Sequence, residues 1–184
     1  RARALEATVQ GCDRAARLVE QLLQLARLDA EPATGHAHST PLADVTRSLV
    51  AECSATAQRR EQEVAITEPL PAALHIPLPE PLARVLLRNL LDNALRYSPD
   101  GAQVRLQVAQ AQGSTELTVE DSGPGLAPEQ QARLGERFFR VLGTGQTGSG
   151  LGWSIVQRIA RIHRLQISTD TSPELGGMRV KVRW

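Results

Sequence analysis

Aromatic residues and cysteines are scarce in this sequence. The first scarcity limits the composition of the core, and the second limits the possible disulfide and metal sites. Only 3% of the 184 residues are aromatic, so the core has to be built from Leu, Val, Ile and Ala side chains. The two cysteines, Cys12 and Cys53, share no metal-ligand spacing and are too few for a disulfide framework. We expect both to be reduced thiols of a cytosolic domain.

Long apolar runs and an excess of one charge are also missing. No stretch of about 18 apolar residues occurs, so we expect this chain to make no membrane contact. The 21 basic residues are dispersed among 20 acidic ones, which gives no concentrated basic face and predicts no nucleic-acid partner. The chain opens at Arg1 without a signal-like segment, so we expect a piece of a longer protein, with any membrane segment upstream.

A heptad pattern marks the start of the chain. Apolar side chains spaced alternately four and three residues apart form a seam, which consists of Leu5, Val9, Cys12, Ala16, Val19, Leu23 and Ala26. This spacing predicts one long helix over 3–29 that belongs to a bundle or coiled coil, or else lies on its own domain. Without its bundle partner such a helix should self-associate, dock on a neighbour or fray. Pro32 and Gly35 then indicate a linker.

The remaining residues show helical and strand patterns in mixed order. Amphipathic periodicity predicts helices over about 42–60, 79–97 and 151–160, and period-two alternation predicts strands over 63–67, 103–109, 115–120, 166–169 and 178–184. Helices and strands that share a single sheet in this order predict an α/β (α+β) two-layer sandwich.

A glycine-rich stretch runs from Gly123 to Gly152 and contains eight glycines. Its second cluster leads directly into the predicted helix at 151–160. Backbone amides at a helix N-terminus behind a glycine loop form an anion site, so the stretch predicts a phosphate-bearing ligand. It lacks the Gly-Lys-Ser/Thr of a P-loop, and no βαβ unit surrounds it as the dinucleotide fingerprint would require.

Two asparagines lie on one face of the predicted helix at 79–97. Asn89 and Asn93 are four residues apart, and Arg96 and Tyr97 follow at the next turn. An amide oxygen for a hard cation, a guanidinium for phosphate and a ring for stacking could belong to one nucleotide site. The alternative is a pair of core asparagines bonded to backbone carbonyls.

Asp121 closes a predicted strand and is followed by Gly123 and Gly125. A carboxylate there can accept a hydrogen bond from an exocyclic amine, which would favour adenine over guanine. Taken alone, however, Asp-Ser-Gly-Pro-Gly favours a simple turn, because Asp and Gly are the commonest turn residues.

The order of four motifs is far more specific than any one of them. They run from Asn89 to Asn93, from Asp121 to Gly125, from Glu136 to Arg140, and from Gly148 to Gly152. In this order they resemble the N, G1, F and G2 boxes of the catalytic ATP-binding (HATPase_c) domain of a sensor histidine kinase. That domain has the Bergerat fold of the wider GHKL ATPases.

The resemblance implies an organisation for nearly the whole chain. Residues 1–30 would be the second helix of a truncated dimerisation and histidine phosphotransfer hairpin, 31–40 a linker, and 41–184 the catalytic domain with a mixed five-stranded sheet and about three helices. The intact protein would be a homodimer in the bacterial inner membrane, with this domain in the cytoplasm. Its partner would be an OmpR-type response regulator, as in the QseC and PmrB subgroup.

The resemblance also implies a role for each motif residue. Asn93 would bind Mg²⁺ with Asn89 supporting the same region, Arg96 would lie near the phosphates, and Tyr97 would lie against adenine. Asp121, Gly123 and Gly125 would bind the base, and Arg140 would bind the γ-phosphate. A mobile lid would close over the phosphates, and it would end in Gly148, Ser149, Gly150, Leu151 and Gly152.

The acceptor of the implied reaction is not recognisable in this sequence. The family transfers the γ-phosphoryl group of ATP to a histidine that precedes an acidic residue and Thr/Ser-Pro. None of His36, His38, His75 and His163 has that context. We therefore expect ATP and Mg²⁺ to bind without stable autophosphorylation. The alternatives are another GHKL ATPase, a serine kinase of the anti-sigma type, or a nucleotide-binding pseudo-kinase module without phosphotransfer.

Two positions depart from the family's pattern. Trp153 stands where a small or aliphatic residue is usual, and it could pack on the lid base or on the heptad helix. Arg164 and Leu165 replace the glycines that usually follow the histidine, so the turn after His163 should differ.

Overall fold

The computed structural model describes residues 38–67, 69–71, 73–111, 113–134, 136 and 150–184, together with Cys12, Ala16, Val19, Leu23 and Ala26. Within these residues the helices are α1 (Leu42–Gln58), α2 (Glu80–Tyr97), α3 (Pro128–Gln131) and α4 (Gly152–His163). The strands are β1 (Thr40–Pro41), β2 (Glu63–Ile66), β3 (His75–Ile76), β4 (Gln103–Ala111), β5 (Ser114–Asp121), β6 (Gln166–Thr171) and β7 (Met178–Arg183). None of the described helices is long and apolar enough to cross a membrane.

Prolines and one serine set the limits of the longer helices. Pro41 and Pro79 are the N-cap residues of α1 and α2, and Pro81 lies in the first turn of α2. Proline lacks the amide hydrogen, and the first helical turn leaves that hydrogen unbonded in any case. Helix α2 ends at Ser98, which is extended because the following Pro99 disfavours helical geometry there.

Five strands form one mixed sheet in the order β2-β4-β5-β7-β6. Only β2 and β4 are parallel, with Glu63 opposite Gln103, and the other three pairs are antiparallel. A parallel pair needs a long crossover connection, and here that connection contains α2. The short strands β1 and β3 form a separate antiparallel pair.

Aliphatic side chains fill the space between the sheet and helices α1, α2 and α4. Leu86 and Leu91 of α2, Leu106 of β4, Leu117 of β5 and Ile155 of α4 are all completely buried. Their burial follows the 3.6-residue period along the helices and the two-residue period along the strands. The predicted two-layer fold with a mixed five-stranded sheet is confirmed; α3, which no sequence pattern indicated, adds a fourth helix.

The predicted heptad helix is described at five seam positions only. Those five residues are helical, and Val19 and Leu23 expose 55% and 52% of their surface. The rest of that prediction, and His36 of the linker, lie outside the described residues. Thr40, which the predicted boundary assigns to the linker, pairs with Ile76 in the small sheet.

The loop after α1 fastens the C-terminal end of α2. Arg60 donates to the carbonyls of Leu95 and Ser98 at 2.8 and 2.9 Å. The buried amide of Gln62 donates to the carbonyls of Leu95 and Pro99, each at 2.9 Å. The last carbonyls of a helix have no partner within it, so these side chains supply what the helix lacks. They also hold in place the helix that carries Asn89 and Asn93.

Helix α4 ends at a residue with left-handed geometry. Arg164 has φ 57° and ψ 32°, and the Leu165 amide donates to the Ala160 carbonyl at 2.9 Å. Glycine usually occupies this position because a Cβ atom is strained there. Arg164 therefore has the backbone geometry of a glycine cap, and the expected difference in the turn after His163 is not found in its backbone.

We expect Arg164→Gly to raise the free energy of unfolding by about 0.5–1 kcal/mol, because relief of the left-handed strain exceeds the entropy that glycine adds to the unfolded chain. The matched control is Arg161→Gly, one turn earlier in the helix. This change should lower the free energy of unfolding by about 0.5–1 kcal/mol because glycine is a poor helix former. Urea unfolding measures both. Equal losses in the two variants would contradict the assigned strain.

Candidate functional site

One pocket lies between α2, the end of β5 and the start of α4. Its lining residues come from these three elements, from β7 and from the adjoining loops: Asn89, Leu90, Asp92, Asn93, Ala94, Arg96, Tyr97, Val119, Asp121, Pro124, Gly125, Leu126, Leu134, Glu136, Gly150, Gly152, Trp153, Met178 and Val180. The pocket is therefore apolar along the sheet and polar along α2.

The two asparagines of α2 face the N-terminus of α4. A Cβ atom built on Gly152 would lie 2.8 Å from Oδ1 of Asn89 and 3.6 Å from Oδ1 of Asn93. The amide nitrogen of Asn89 donates to the Val85 carbonyl at 2.7 Å, which fixes its oxygen on the other side. Two amide oxygens thus stand beside the first turn of α4, and Gly152 is required because a side chain would collide with Asn89.

The carboxylate of Asp121 is buried on the opposite side of the pocket. Asp121 is 7% exposed, and its Oδ1 atom accepts hydrogen bonds from the Gly123 amide at 2.9 Å and the Met178 amide at 3.1 Å. Among the described residues both donors go to Oδ1, which leaves Oδ2 to accept from a ligand. The arrangement is that of a fixed hydrogen-bond acceptor.

Burial raises the pKa of the Asp121 carboxyl above its ordinary value. The amides of Gly123 and Met178 oppose this because they stabilise the ionised form, and the nearby charge of Glu120 adds to the rise. An acceptor held in so little water is strong toward a ligand donor, since no solvent competes for it.

Two glycines allow the chain to pass close to Asp121. A Cβ atom on Gly177 would lie 2.3 Å from both the carbonyl oxygen and Oδ1 of Asp121, and one on Gly123 would lie 2.9 Å from the same Oδ1. Gly125 has φ 66°, which is left-handed geometry. These glycines belong to two loops that meet over the end of β5.

The structure brings most of the predicted site residues together. Asn89, Asn93, Arg96, Tyr97 and Asp121 line one pocket with Gly125, Gly150 and Gly152. The side chain of Leu151 is completely buried in the core, so a ligand could meet only its backbone. Arg140, Gly148 and Ser149 lie outside the described residues.

Sequence reasoning missed part of the apolar wall and one glycine. Val119 lies two residues before Asp121 on the same face of β5 and opposite Val180 of β7, so the two-residue period could have indicated it. Met178 and Gly177 gave no comparable signal, because they contact Asp121 across a long stretch of sequence, which is 57 positions for Met178.

Trp153 lies on the pocket wall in the first turn of α4. Its indole Nε1 is buried, and among the described residues it has no hydrogen-bond partner. Gln157, one turn further along, donates to the Leu134 carbonyl at 3.1 Å and so ties α4 to the segment after α3. Trp153 lines the pocket together with Gly150 and Gly152, and the choice between its two predicted packing positions stays a prediction.

Comparison with known proteins agrees with this geometry. Residues 79–184 match the family described as histidine kinase-, DNA gyrase B-, and HSP90-like ATPase. The sensor protein QseC of Escherichia coli O157:H7 is 42% identical over 184 residues, which are all of this chain and 40% of that protein. Sensor protein kinase PmrB of Pseudomonas aeruginosa is 34% identical over 98% of this chain and 38% of its own length.

Two solved structures show the same architecture. The cytoplasmic segment of histidine kinase QseC has a TM-score of 0.62 and 33% identity, over 94% of this chain and 93% of that one. Full-length ShkA in complex with AMPPNP has a TM-score of 0.77 and 25% identity, over 99% of this chain and 38% of that one. The chain belongs to the histidine kinase-, DNA gyrase B- and HSP90-like ATPases, as an ATP-binding catalytic domain of the sensor histidine kinase type. The predicted resemblance, including the QseC and PmrB subgroup, is confirmed.

We expect Asp121→Asn to raise the free energy of unfolding at neutral pH. The folded-state pKa of Asp121 is raised, so the wild type loses stability as pH rises from the unfolded pKa of about 3.9 through the folded pKa. Asparagine removes the buried charge and keeps an acceptor for the two amides. The gain should vanish at pH values below the unfolded pKa, as measured by thermal unfolding across pH.

Asp170→Asn is the matched control, and its effect should have the opposite sign. A hydrogen bond from Arg179 lowers the pKa of Asp170, so this carboxylate stabilises the fold above its unfolded pKa and stops doing so as pH falls through the folded pKa. The variant should therefore be less stable at neutral pH. A loss of stability in both variants would contradict the burial argument for Asp121.

Proposed function

We propose that this pocket binds ATP with Mg²⁺, and that in the intact protein the domain transfers the γ-phosphoryl group to a histidine nitrogen. The observation that carries the proposal is the placement of two asparagine oxygens beside the N-terminus of α4, with a buried carboxylate across the pocket. A nucleotide has a charged end and a hydrogen-bonding base, and the pocket has a complementary wall for each.

The phosphates belong at the start of α4. First-turn amides have no partner within a helix, and together with the helix dipole they favour anions at the N-terminus of this twelve-residue helix, which Gly150 precedes with φ 71°. Arg96 of α2 lines the same pocket and would lie near the phosphates. Gly148 and Ser149 would complete the phosphate loop, and Arg140 would reach the γ-phosphate.

Mg²⁺ fits the donor atoms that α2 presents. It prefers oxygen ligands and is usually held by one or two protein groups together with the substrate phosphates. Oδ1 of Asn93 would bind it, with Oδ1 of Asn89 supporting the same region. Bound there, the ion would neutralise charge on the phosphates.

The base belongs at the Asp121 end. Oδ2 of Asp121 would accept a hydrogen bond from the exocyclic amine of adenine, which guanine does not offer at that position. Val119 and Met178 supply an apolar surface, Tyr97 would lie against the ring, and the absence of a side chain at Gly125 would give it room. Gly123 would act indirectly, because its missing side chain leaves space for Asp121.

The reaction is an in-line displacement. A histidine nitrogen attacks the γ-phosphorus, the N–P bond forms, and the bond to the bridging oxygen breaks so that its electron pair leaves with ADP. The domain holds the reacting groups in position and neutralises charge on the phosphates. His75 lies in β3 and His163 in the last turn of α4, outside any phosphotransfer hairpin, so the acceptor would be on a separate segment of the intact protein.

The longer relatives support a wider role for the intact protein. The chain spans 40% of the QseC sequence it matches, and that protein is named a sensor. The intact protein would be a membrane sensor kinase that forms a homodimer and passes its phosphoryl group to an aspartate of an OmpR-type response regulator. The catalytic domain would lie in the cytoplasm.

Calorimetric titration with a non-hydrolysable ATP analogue tests the site. Asp121→Asn should bind at least about tenfold more weakly, the scale of one hydrogen bond to a charged group. Binding by Asn93→Ala should lose its dependence on Mg²⁺. The exposed Asp44 gives a matched control, because Asp44→Asn should bind like wild type. Equal affinity of wild type and Asp121→Asn would exclude the assigned base site.

Phosphotransfer separates a kinase from a module that only binds nucleotide. Wild-type chain incubated with γ-³²P-ATP, Mg²⁺ and a separately produced histidine hairpin of a QseC-type kinase should give acid-labile label on the hairpin. The chain alone should acquire none. Label on any of its own four histidines would contradict the proposal, and ATP binding without label on the hairpin would favour the pseudo-kinase alternative.

A further inference from the structure

The turn between β6 and β7 is a closed structure that sits on the end of β5. It spans Ser172 to Gly177. The Ser172 amide donates to the Gly177 carbonyl at 2.8 Å, the Gly176 amide returns a bond to the Ser172 carbonyl at 2.9 Å, and the Leu175 amide donates to Ser172 Oγ at 3.0 Å. The turn is therefore built around Ser172 and moves as one unit.

Ser172 anchors this unit to the outer face of the sheet. Its hydroxyl donates to Oε2 of Glu120 at 2.6 Å, and the two residues are only 1% and 4% exposed. The other carboxylate oxygen of Glu120 lies 3.7 Å from the guanidinium of Arg105, which also pairs with Glu174 of the turn. A buried hydrogen bond between a hydroxyl and a carboxylate is among the stronger kinds.

The same turn holds Asp121 on the inner face. The Gly177 amide donates to the Asp121 carbonyl and the Met178 amide to Asp121 Oδ1, each at 3.1 Å. Successive strand residues point to opposite faces of a sheet, so Glu120 and Asp121 lie on opposite faces of β5. The β6–β7 turn and the residue that follows it therefore make hydrogen bonds to both faces. The position of the Met178 amide therefore depends on the anchor at Ser172.

We infer that Ser172 and Glu120 are positioning residues for base recognition. Their hydrogen bond fixes the β6–β7 turn, the turn places the Met178 amide, and that amide holds Oδ1 of Asp121 so that Oδ2 is presented to the exocyclic amine. The inference rests on the proposed role of Asp121 in binding adenine. Neither residue touches the ligand pocket itself.

Comparison of ATP with ITP tests the inference, because ITP has a carbonyl oxygen in place of the exocyclic amine and a hydrogen on the neighbouring ring nitrogen N1, and is otherwise the same nucleotide. In calorimetric titrations Ser172→Ala should bind ATP about tenfold more weakly while its affinity for ITP changes less than twofold. If the hydrogen bond served folding alone, its loss would lower the affinities for ATP and ITP equally. Glu120→Ala removes the other partner of the same bond and should give the same selective loss, so the test survives if one variant does not fold.

Three further variants complete the design. Glu120→Gln keeps an acceptor for the Ser172 hydroxyl and should retain the preference for ATP. The exposed Ser168 of β6 is the matched control, and Ser168→Ala should bind both nucleotides like wild type. The double variant Ser172→Ala/Glu120→Ala should be no less selective than either single variant, since all three lack the same bond.

The outcomes distinguish this inference from the function on which it rests. If Asp121→Asn loses the preference for ATP while Ser172→Ala and Glu120→Ala keep it, the positioning role is wrong and the base site stands. If Asp121→Asn itself keeps the preference, the base site is wrong and the inference falls with it. If Asp121→Asn, Ser172→Ala and Glu120→Ala all lose affinity for ATP selectively, both the base site and the positioning role are supported.

Discussion

The buried carboxylate of Asp121 is the constraint on which the site depends. An ionised group with so little water is costly, and here backbone amides from two different loops compensate for the lost solvent. Each loop has to approach within hydrogen-bonding distance, which is why glycine stands at 123 and 177. The hydrogen bonds to Asp121 thus fix the relative positions of the end of β5, the loop that follows it and the β6–β7 turn.

The opposite wall of the pocket is rigid for a different reason. Asn89 and Asn93 lie on α2, whose buried face packs into the core and whose last carbonyls are bonded by Arg60 and Gln62. Asn89 is further held by its bond to the Val85 carbonyl. Groups that must meet a ligand at fixed distances are best carried on elements that cannot shift, and both walls have this property.

Much of this arrangement could be predicted from the sequence. Periodicity with flanking prolines predicted α2, and four motifs in order predicted the ligand class; Asp121, Asn89 and Asn93 then proved to line one pocket. Arg164 shows why other features could not be predicted, since its left-handed geometry is imposed by the turn and not favoured by the residue. Gly177 was missed because its contact depends on the register of β5 and β7, which alternation alone does not fix.

The parallel pairing of β2 with β4 has a consequence for the order in which the molecule forms. The chain between these strands contains α2, so their pairing closes a loop that includes that helix. Pairing of strands so distant in sequence is a slow event in folding. The pairing of β5 with β7 joins residues still further apart in sequence and places the Met178 amide beside Asp121. Each wall of the pocket is therefore completed by a long-range closure of its own, and the nucleotide site is complete only when both pairs of strands have formed.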